Sequence, residues 1–394
     1  MAAPGKKILT VFGTRPEAIK LAPVILELAS RSTSFCVVNA ASGQHSDLLY
    51  PFIKMFGLQI HHDLAVMQPD QTPAEVCSRV LAMLDPVLES ENPDFLLVQG
   101  DTTTTLAGAL AGFYRRIPVG HVEAGLRSGD EQSPFPEEMN RRVVSRLVAY
   151  HFAATNWNRE TLLAEGVPDS RIFVTGNPIV QALSTLLDRC TPSVATKALL
   201  DATAGSKLIV LTTHRRESFG EVLAANLRVI RAFVERHSDV AVIFPVHPNP
   251  KVSRPAFEVL GGIPRIHLTQ PLNYEDFIVL LSHSWLIVSD SGGVQEEAPS
   301  LGKPVLVIRE NTERPEAIAA GGSRLVGGSP DNLAHMLEEV YRDGQWVEGV
   351  RKIENPFGRA DSAIRIVDAL EQILFGERSH EHRQTGATRS AQAL

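Results

Sequence analysis

The chain has 394 residues, a net charge of −7, and is 44% hydrophobic and 21% charged. That length exceeds one ordinary core and predicts two α/β domains of about 150–200 residues each, with the composition of a soluble globular enzyme. The negative charge argues against a nucleic-acid or anionic-membrane surface, and the cysteines Cys36, Cys77 and Cys190 are too few and too scattered for a disulfide framework or a zinc site.

The first residues carry no apolar stretch followed by a cleavage site, and no run of 18 apolar residues occurs, so a cytoplasmic chain without a membrane span is expected. Short apolar, β-branched runs then alternate with segments of helical period, the pattern of βαβ units and a parallel sheet. Strands are predicted at 8–12, 35–40, 95–99, 117–122, 151–154 and 171–175. Between the first two, residues 16–30 read as a helix with Pro16 in its first turn and Ala18, Ala22, Ile25 and Ala29 on one face. After Gly176-Asn177-Pro178 a polar stretch, 191–206, predicts a domain boundary near 180–205.

A second strand series follows at 207–213, 240–246, 264–269, 285–289, 304–308 and 324–326. Residues 361–374 read as a closing helix, and the polar, aperiodic segment from Glu377 reads as disordered. The expectation is therefore α/β: two doubly wound parallel sheets with a cleft between the carboxyl ends of their strands, where such sheets bind ligands. No GxGxxG or GxxxxGK[ST] fingerprint, Asp-x-Asp pair or zinc spacing is present.

Four constellations fall at predicted strand ends. In residues 12–20, Phe-Gly-Thr-Arg-Pro-Glu-Ala-Ile-Lys, a strand ends at Gly13 and a helix starts at Pro16, with Arg15 at the junction and Lys20 one turn on. A glycine there lets a ligand approach closely, and a helix N-terminus favours anions. In residues 290–297 a Ser291-Gly292-Gly293 turn presents backbone N–H groups suited to a diphosphate, with Glu297 placed for ribose hydroxyls. Arg309 and Arg314 follow the next strand.

Three carboxylates form the third group: Asp101 after one strand, Glu123 after the next, and Glu137 opening a helix. Carboxylates gathered at one crevice acquire unequal proton affinities, which acid/base partners need. The fourth group is residues 212–217, Thr-Thr-His-Arg-Arg-Glu, where His214 is a titratable donor at the first strand end of the second domain.

Taken together these segments resemble the non-hydrolysing UDP-N-acetylglucosamine 2-epimerases. The resemblance rests on residues 12–20, 99–104, 120–127, 134–141, 213–217, 290–299 and 312–317, in order along the chain. It implies the GT-B architecture: a Rossmann-like domain over 1–180, a second over 181–358 that binds UDP, a helix at 359–376 crossing back, and a tail at 377–394. It implies a homodimer and reversible conversion of UDP-GlcNAc to UDP-ManNAc for cell-surface polysaccharide. The route would be elimination of UDP to bound 2-acetamidoglucal and re-addition, with no metal or other cofactor.

Carried over by position, Asp101, Glu123 and Glu137 are the acid/base candidates and His214 lies near the departing phosphate. Arg15, Lys20, Phe277, Ser291, Gly292, Gly293, Glu297 and Arg314 would hold UDP. A second UDP-GlcNAc, acting as activator, is implied at Gln44, His45, Gln71, Arg215 and His247. The chain departs from the family pattern after Gln44-His45 and at residues 176–181, Gly-Asn-Pro-Ile-Val-Gln. A hydrolysing 2-epimerase, a GT-B glycosyltransferase and a sugar-nucleotide sensor are the competing readings.

Overall fold

The computed structural model describes residues 5–43, 46–68, 70–187, 189–215 and 219–376. Gln44, His45 and the segment from residue 377 lie outside the described residues. The chain divides into two compact units, one of residues up to 182 together with those from 358, the other of 183–357.

The described residues of the first unit carry a seven-stranded parallel sheet. Its strands are β1 (Lys6–Phe12), β2 (Phe35–Ala41), β3 (His62–Asp63), β4 (Phe95–Gln99), β5 (Val119–Ala124), β6 (Tyr150–Ala153) and β7 (Ile172–Val174), in the order β3-β2-β1-β4-β5-β6-β7. Ile8 to Phe12 and all five residues of β4 are buried, as expected for strands covered by helices on both faces. β3, only two residues long at the sheet edge, is absent from the sequence reading because it offers no period to detect.

Helix Pro73–Glu91 shows how the covering layers form. Thr72 and Glu75 make a reciprocal capping box at its start, and Val76, Val80, Leu84 and Leu88 recur every four residues as its buried stripe. Burying each such side chain contributes about 1.5–3 kcal/mol.

Helix Arg15–Ser30 differs from its predicted face in one respect. Ala18, Ala22 and Ile25 are buried, but Ala29 is exposed and Leu28 enters the core instead. Residues 17–25 are all buried: the sheet, helix Ser46–Phe56 and helix Ser362–Phe375 all pack against this helix. Arg31 at its end reaches Asp368 at 2.7 Å and Glu371 at 3.1 Å, and the Phe35 and Phe375 rings meet edge-on at 5.8 Å.

The described residues of the second unit carry a six-stranded parallel sheet of β8 (Lys207–Thr212), β9 (Val240–Pro245), β10 (Ile266–Thr269), β11 (Leu286–Ser289), β12 (Val305–Val307) and β13 (Ser323–Leu325). Its order is β10-β9-β8-β11-β12-β13. Leu211, Leu227, Phe244, Val288 and Leu306 lie in one of its cores. In each unit the order reverses beside the first strand, between β1 and β4 and between β8 and β11. The carboxyl ends at such a switch point are where doubly wound sheets gather ligands. No helix among the described residues is long and apolar enough to cross a membrane.

Candidate active site

Glu123 owes its position to an irregularity in β5. The register with β6 slips between Val122 and Ala124, so Glu123 is the extra residue of a bulge, and its φ is +67°. A left-handed conformation in a non-glycine residue costs on the order of 1–3 kcal/mol, and bulges re-aim side chains. Here the carboxylate is turned into a buried polar nest. Oε1 accepts from Lys20 Nζ at 2.6 Å and from Asn177 Nδ2 at 3.5 Å, and Oε2 accepts from the Gln99 amide. Lys20, anticipated as a UDP ligand, thus has its ammonium on the carboxylate of Glu123.

Asp101 stands two residues beyond β4, after Gly100, whose φ of +76° is a conformation glycine adopts freely. Arg141 donates to Asp101 Oδ2 through Nε at 2.9 Å and Nη2 at 2.7 Å, and Asn140 Nδ2 donates to the Asp101 carbonyl at 2.9 Å. The same Arg141 donates through Nη1 to Glu138 Oε2 at 2.7 Å, and Glu138 is fully buried. Glu137 is the first residue of helix Glu137–Leu147. Residues three and four apart share a helical face, so Glu137 stands on the face by which Asn140 and Arg141 hold the Asp101 loop.

A further carboxylate straps the loops together. Glu17 Oε2 accepts the N–H groups of Gly13 and Thr14 at 3.0 and 2.7 Å, while Oε1 accepts the hydroxyls of Thr102 and Thr105 at 2.7 and 3.0 Å. It therefore ties the turn carrying Arg15 to the turn carrying Asp101. Burial pushes its carboxyl pKa up, against the pull of these hydrogen bonds. Below Asp101, His121 Nε2 lies 2.7 Å from the Gly100 carbonyl.

The second unit gathers its own set at the ends of β8 and β11. Asp290 is sealed from solvent and accepts from the Thr213 hydroxyl at 2.8 Å and from the His214 and Arg215 N–H groups at 3.0 Å each. His214 Nδ1 lies 3.1 Å from Asp290 Oδ1, and its ring stacks at 6.2 Å on that of His247. Burial raises the Asp290 carboxyl pKa, but the bonds from His214, Arg215 and Thr213 outweigh it and hold the group below the usual carboxylate range.

Ser291 stands at the N-cap position of the short helix Gly292–Glu297, with no side-chain capping bond among the described residues. Gly292 is constrained by space: a Cβ there would lie 3.0 Å from the Arg314 guanidinium carbon. Arg314 is buried and held by Glu296 at 2.7 Å and Glu313 at 2.8 Å. Arg309 and Arg215 also reach Glu313, at 2.7 and 3.4 Å. Glu297 accepts from the Tyr274 hydroxyl at 2.6 Å, and Phe277, half-buried, follows Tyr274 by one turn on the same helix.

Gln71 bonds within its own loop, accepting from the Gln68 N–H and donating to the Val66 carbonyl. Glu17, Gln99, Arg141, Tyr274, Asp290 and Glu313 were missed as site residues. Glu17, Gln99, Arg141, Asp290 and Glu313 lie inside the motif segments, which is the available signal; Tyr274 lies outside all of them and carries none.

The first sheet edge thus offers carboxylates locked to cations, fit for moving protons. The second offers a carboxylate-oriented imidazole beside a basic, N–H-rich turn, fit for binding phosphate.

The family model described as UDP-N-acetylglucosamine 2-epimerase matches residues 27–371. The chain is 44% identical over 370 residues to the UDP-N-acetylglucosamine 2-epimerase of Escherichia coli K12, covering 93% of this chain and 98% of that protein. It resembles the crystal structure of the Neisseria meningitidis UDP-GlcNAc 2-epimerase bound to UDP-GlcNAc, with a TM-score of 0.88, 42% identity and coverage of 93% and 100%. The Methanocaldococcus jannaschii UDP-GlcNAc 2-epimerase in complex with UDP-GlcNAc and UDP gives 0.80 and 33% identity, with coverage of 92% and 99%.

Proposed function

From its membership of the UDP-N-acetylglucosamine 2-epimerase family, to which this chain belongs, we propose that it interconverts UDP-GlcNAc and UDP-ManNAc without releasing the free sugar. The observation that carries this reading is the pair Asp101 and Glu123, at the ends of the neighbouring strands β4 and β5, each fastened to a cation.

The proton on C2 of the sugar is not adjacent to a ketone or aldehyde, so enolisation does not remove it. In the proposed route a carboxylate takes that proton and the electron pair forms a C1–C2 double bond as the C1–O bond to UDP breaks. UDP and 2-acetamidoglucal remain bound. UDP then adds back to C1 while a second carboxylic acid delivers a proton to C2 from the opposite face.

Asp101, Glu123 and Glu137 are the proposed acid/base set. Arg15, Ser291, Gly292, Gly293, Glu297, Phe277 and Arg314 are the proposed UDP residues, with His214 at the departing phosphate. Lys20 completes the proposed UDP set, and its ammonium also pairs with the Glu123 carboxylate. The leaving diphosphate carries the developing charge, so fixed donors around it lower the barrier most.

Product analysis by ³¹P and ¹H NMR tests this. The expected new species is UDP-ManNAc at equilibrium with UDP-GlcNAc. Free ManNAc with stoichiometric UDP would instead make the chain a hydrolysing enzyme. Asp101→Asn and Glu123→Gln should each lower kcat by about 10²–10⁴-fold while UDP binding is kept.

A further inference from the structure

We propose that Asp290 is a positioning residue, holding the imidazole of His214 in its Nδ1–H tautomer so that Nε2 faces the departing diphosphate. The proposal rests on the role of His214 given above and adds a residue outside the carboxylate set and the UDP residues.

Asp290 follows β11 and His214 follows β8, so the two meet at the switch point of the second sheet. Three donors besides the ring hold Asp290: the Thr213 hydroxyl at 2.8 Å and the N–H groups of His214 and Arg215 at 3.0 Å. They fix the carboxylate whether or not the imidazole is there. Oδ1 then meets His214 Nδ1 at 3.1 Å.

An ionised carboxylate can only accept hydrogen bonds, so the ring nitrogen facing it must carry hydrogen. In a neutral imidazole the lone pair is then on Nε2. Asp290 is fully buried, while the side chain of His214 is 42% exposed. The socket is therefore rigid and closed, and the ring it aims is open to a ligand. If Nε2 takes a proton, the resulting cation is already paired with Asp290. His214 can thus accept a proton from, or donate one to, a phosphate oxygen without turning over.

The test is long-range ¹H–¹⁵N NMR on full-length protein labelled with ¹⁵N-histidine, the His214 signals being assigned by their loss in His214→Asn. In the unaltered protein the account expects a protonated Nδ1 and a bare Nε2. Asp290→Asn keeps an acceptor for Thr213 and Arg215 but presents an amide NH₂ group to the ring. It should reverse or mix the tautomers and lower kcat about 100-fold or more, with KM changed less than about threefold. An Nε2–H tautomer in the unaltered protein overturns the proposal, as does Asp290→Asn with unchanged tautomer or undiminished kcat.

The first of these readings needs no variant, so a misfolded Asp290→Asn leaves the proposal testable. If the unaltered protein binds UDP but forms no UDP-ManNAc, the reading of function fails, and the tautomer measurement is unaffected.

Discussion

Lys20 Nζ and Glu123 Oε1 stand 2.6 Å apart, with side chains only 9% and 3% exposed. Two charges so enclosed depend on each other: attraction offsets the cost of removing both from water, and removing one leaves the other uncompensated. Lys20→Met should therefore destabilise the fold by about 3–5 kcal/mol, and the double variant Lys20→Met, Glu123→Gln by distinctly less. Urea unfolding midpoints measure both. A double-variant loss equal to the sum of the losses in Lys20→Met and Glu123→Gln alone would mean that the pair is not coupled.

A second prediction concerns acid. His121 and His151 occupy paired positions on β5 and β6 and are both buried, with Nδ1 of each lacking a hydrogen-bond partner among the described residues. Burial pushes the pKa of His121 down to about 4 and that of His151 down to about 3, the latter helped by the charge of His121. The unfolded chain binds these protons near pH 6.5, the folded chain only below about 4. Between those values the unfolded state holds more protons, so stability is full above pH 6.5 and falls as pH drops, by up to about 1.4 kcal/mol per unit for each ring. Glu17, whose carboxyl is pushed up, acts in the opposite direction. The diagnostic is thus a difference: between pH 6.5 and 5, His121→Asn should show a shallower dependence of its unfolding free energy than the unaltered protein. Parallel slopes would contradict it.

Much of the fold was legible because parallel strands buried on both faces read as apolar runs. Twelve of the predicted strands correspond to β1, β2 and β4 through β13, with ends shifted by a residue or two. What the sequence leaves silent is pairing at a distance. Nothing in the spacing of Lys20 and Glu123, 103 residues apart, says that they touch. The same is true of Glu17 with Thr102 and of Asp290 with His214. The family resemblance, not its own spacing, assigns Lys20 to UDP. Only the bulge at Glu123, invisible as a period, brings a carboxylate to it first.

The activator residues that the family resemblance implies give a third prediction. Arg215 and His247 lie beside His214, and Gln71 holds its own loop closed. If a second UDP-GlcNAc acts as activator, initial rate plotted against UDP-GlcNAc is sigmoidal for the unaltered protein. Gln71→Ala should then flatten the curve and raise the concentration for half-maximal rate severalfold. A hyperbola for the unaltered protein would remove these residues from an activating role.

The central claim is that carboxylates of the first sheet edge move the proton on C2 while UDP departs and returns. The most direct measurement is incubation with UDP-GlcNAc in D₂O, followed by NMR of both epimers. The account predicts deuterium at C2 in UDP-ManNAc and in recovered UDP-GlcNAc, with exchange abolished by Glu123→Gln or Asp101→Asn while UDP is still bound. Epimer formed with its original hydrogen retained at C2, or exchange persisting in both variants, would contradict it.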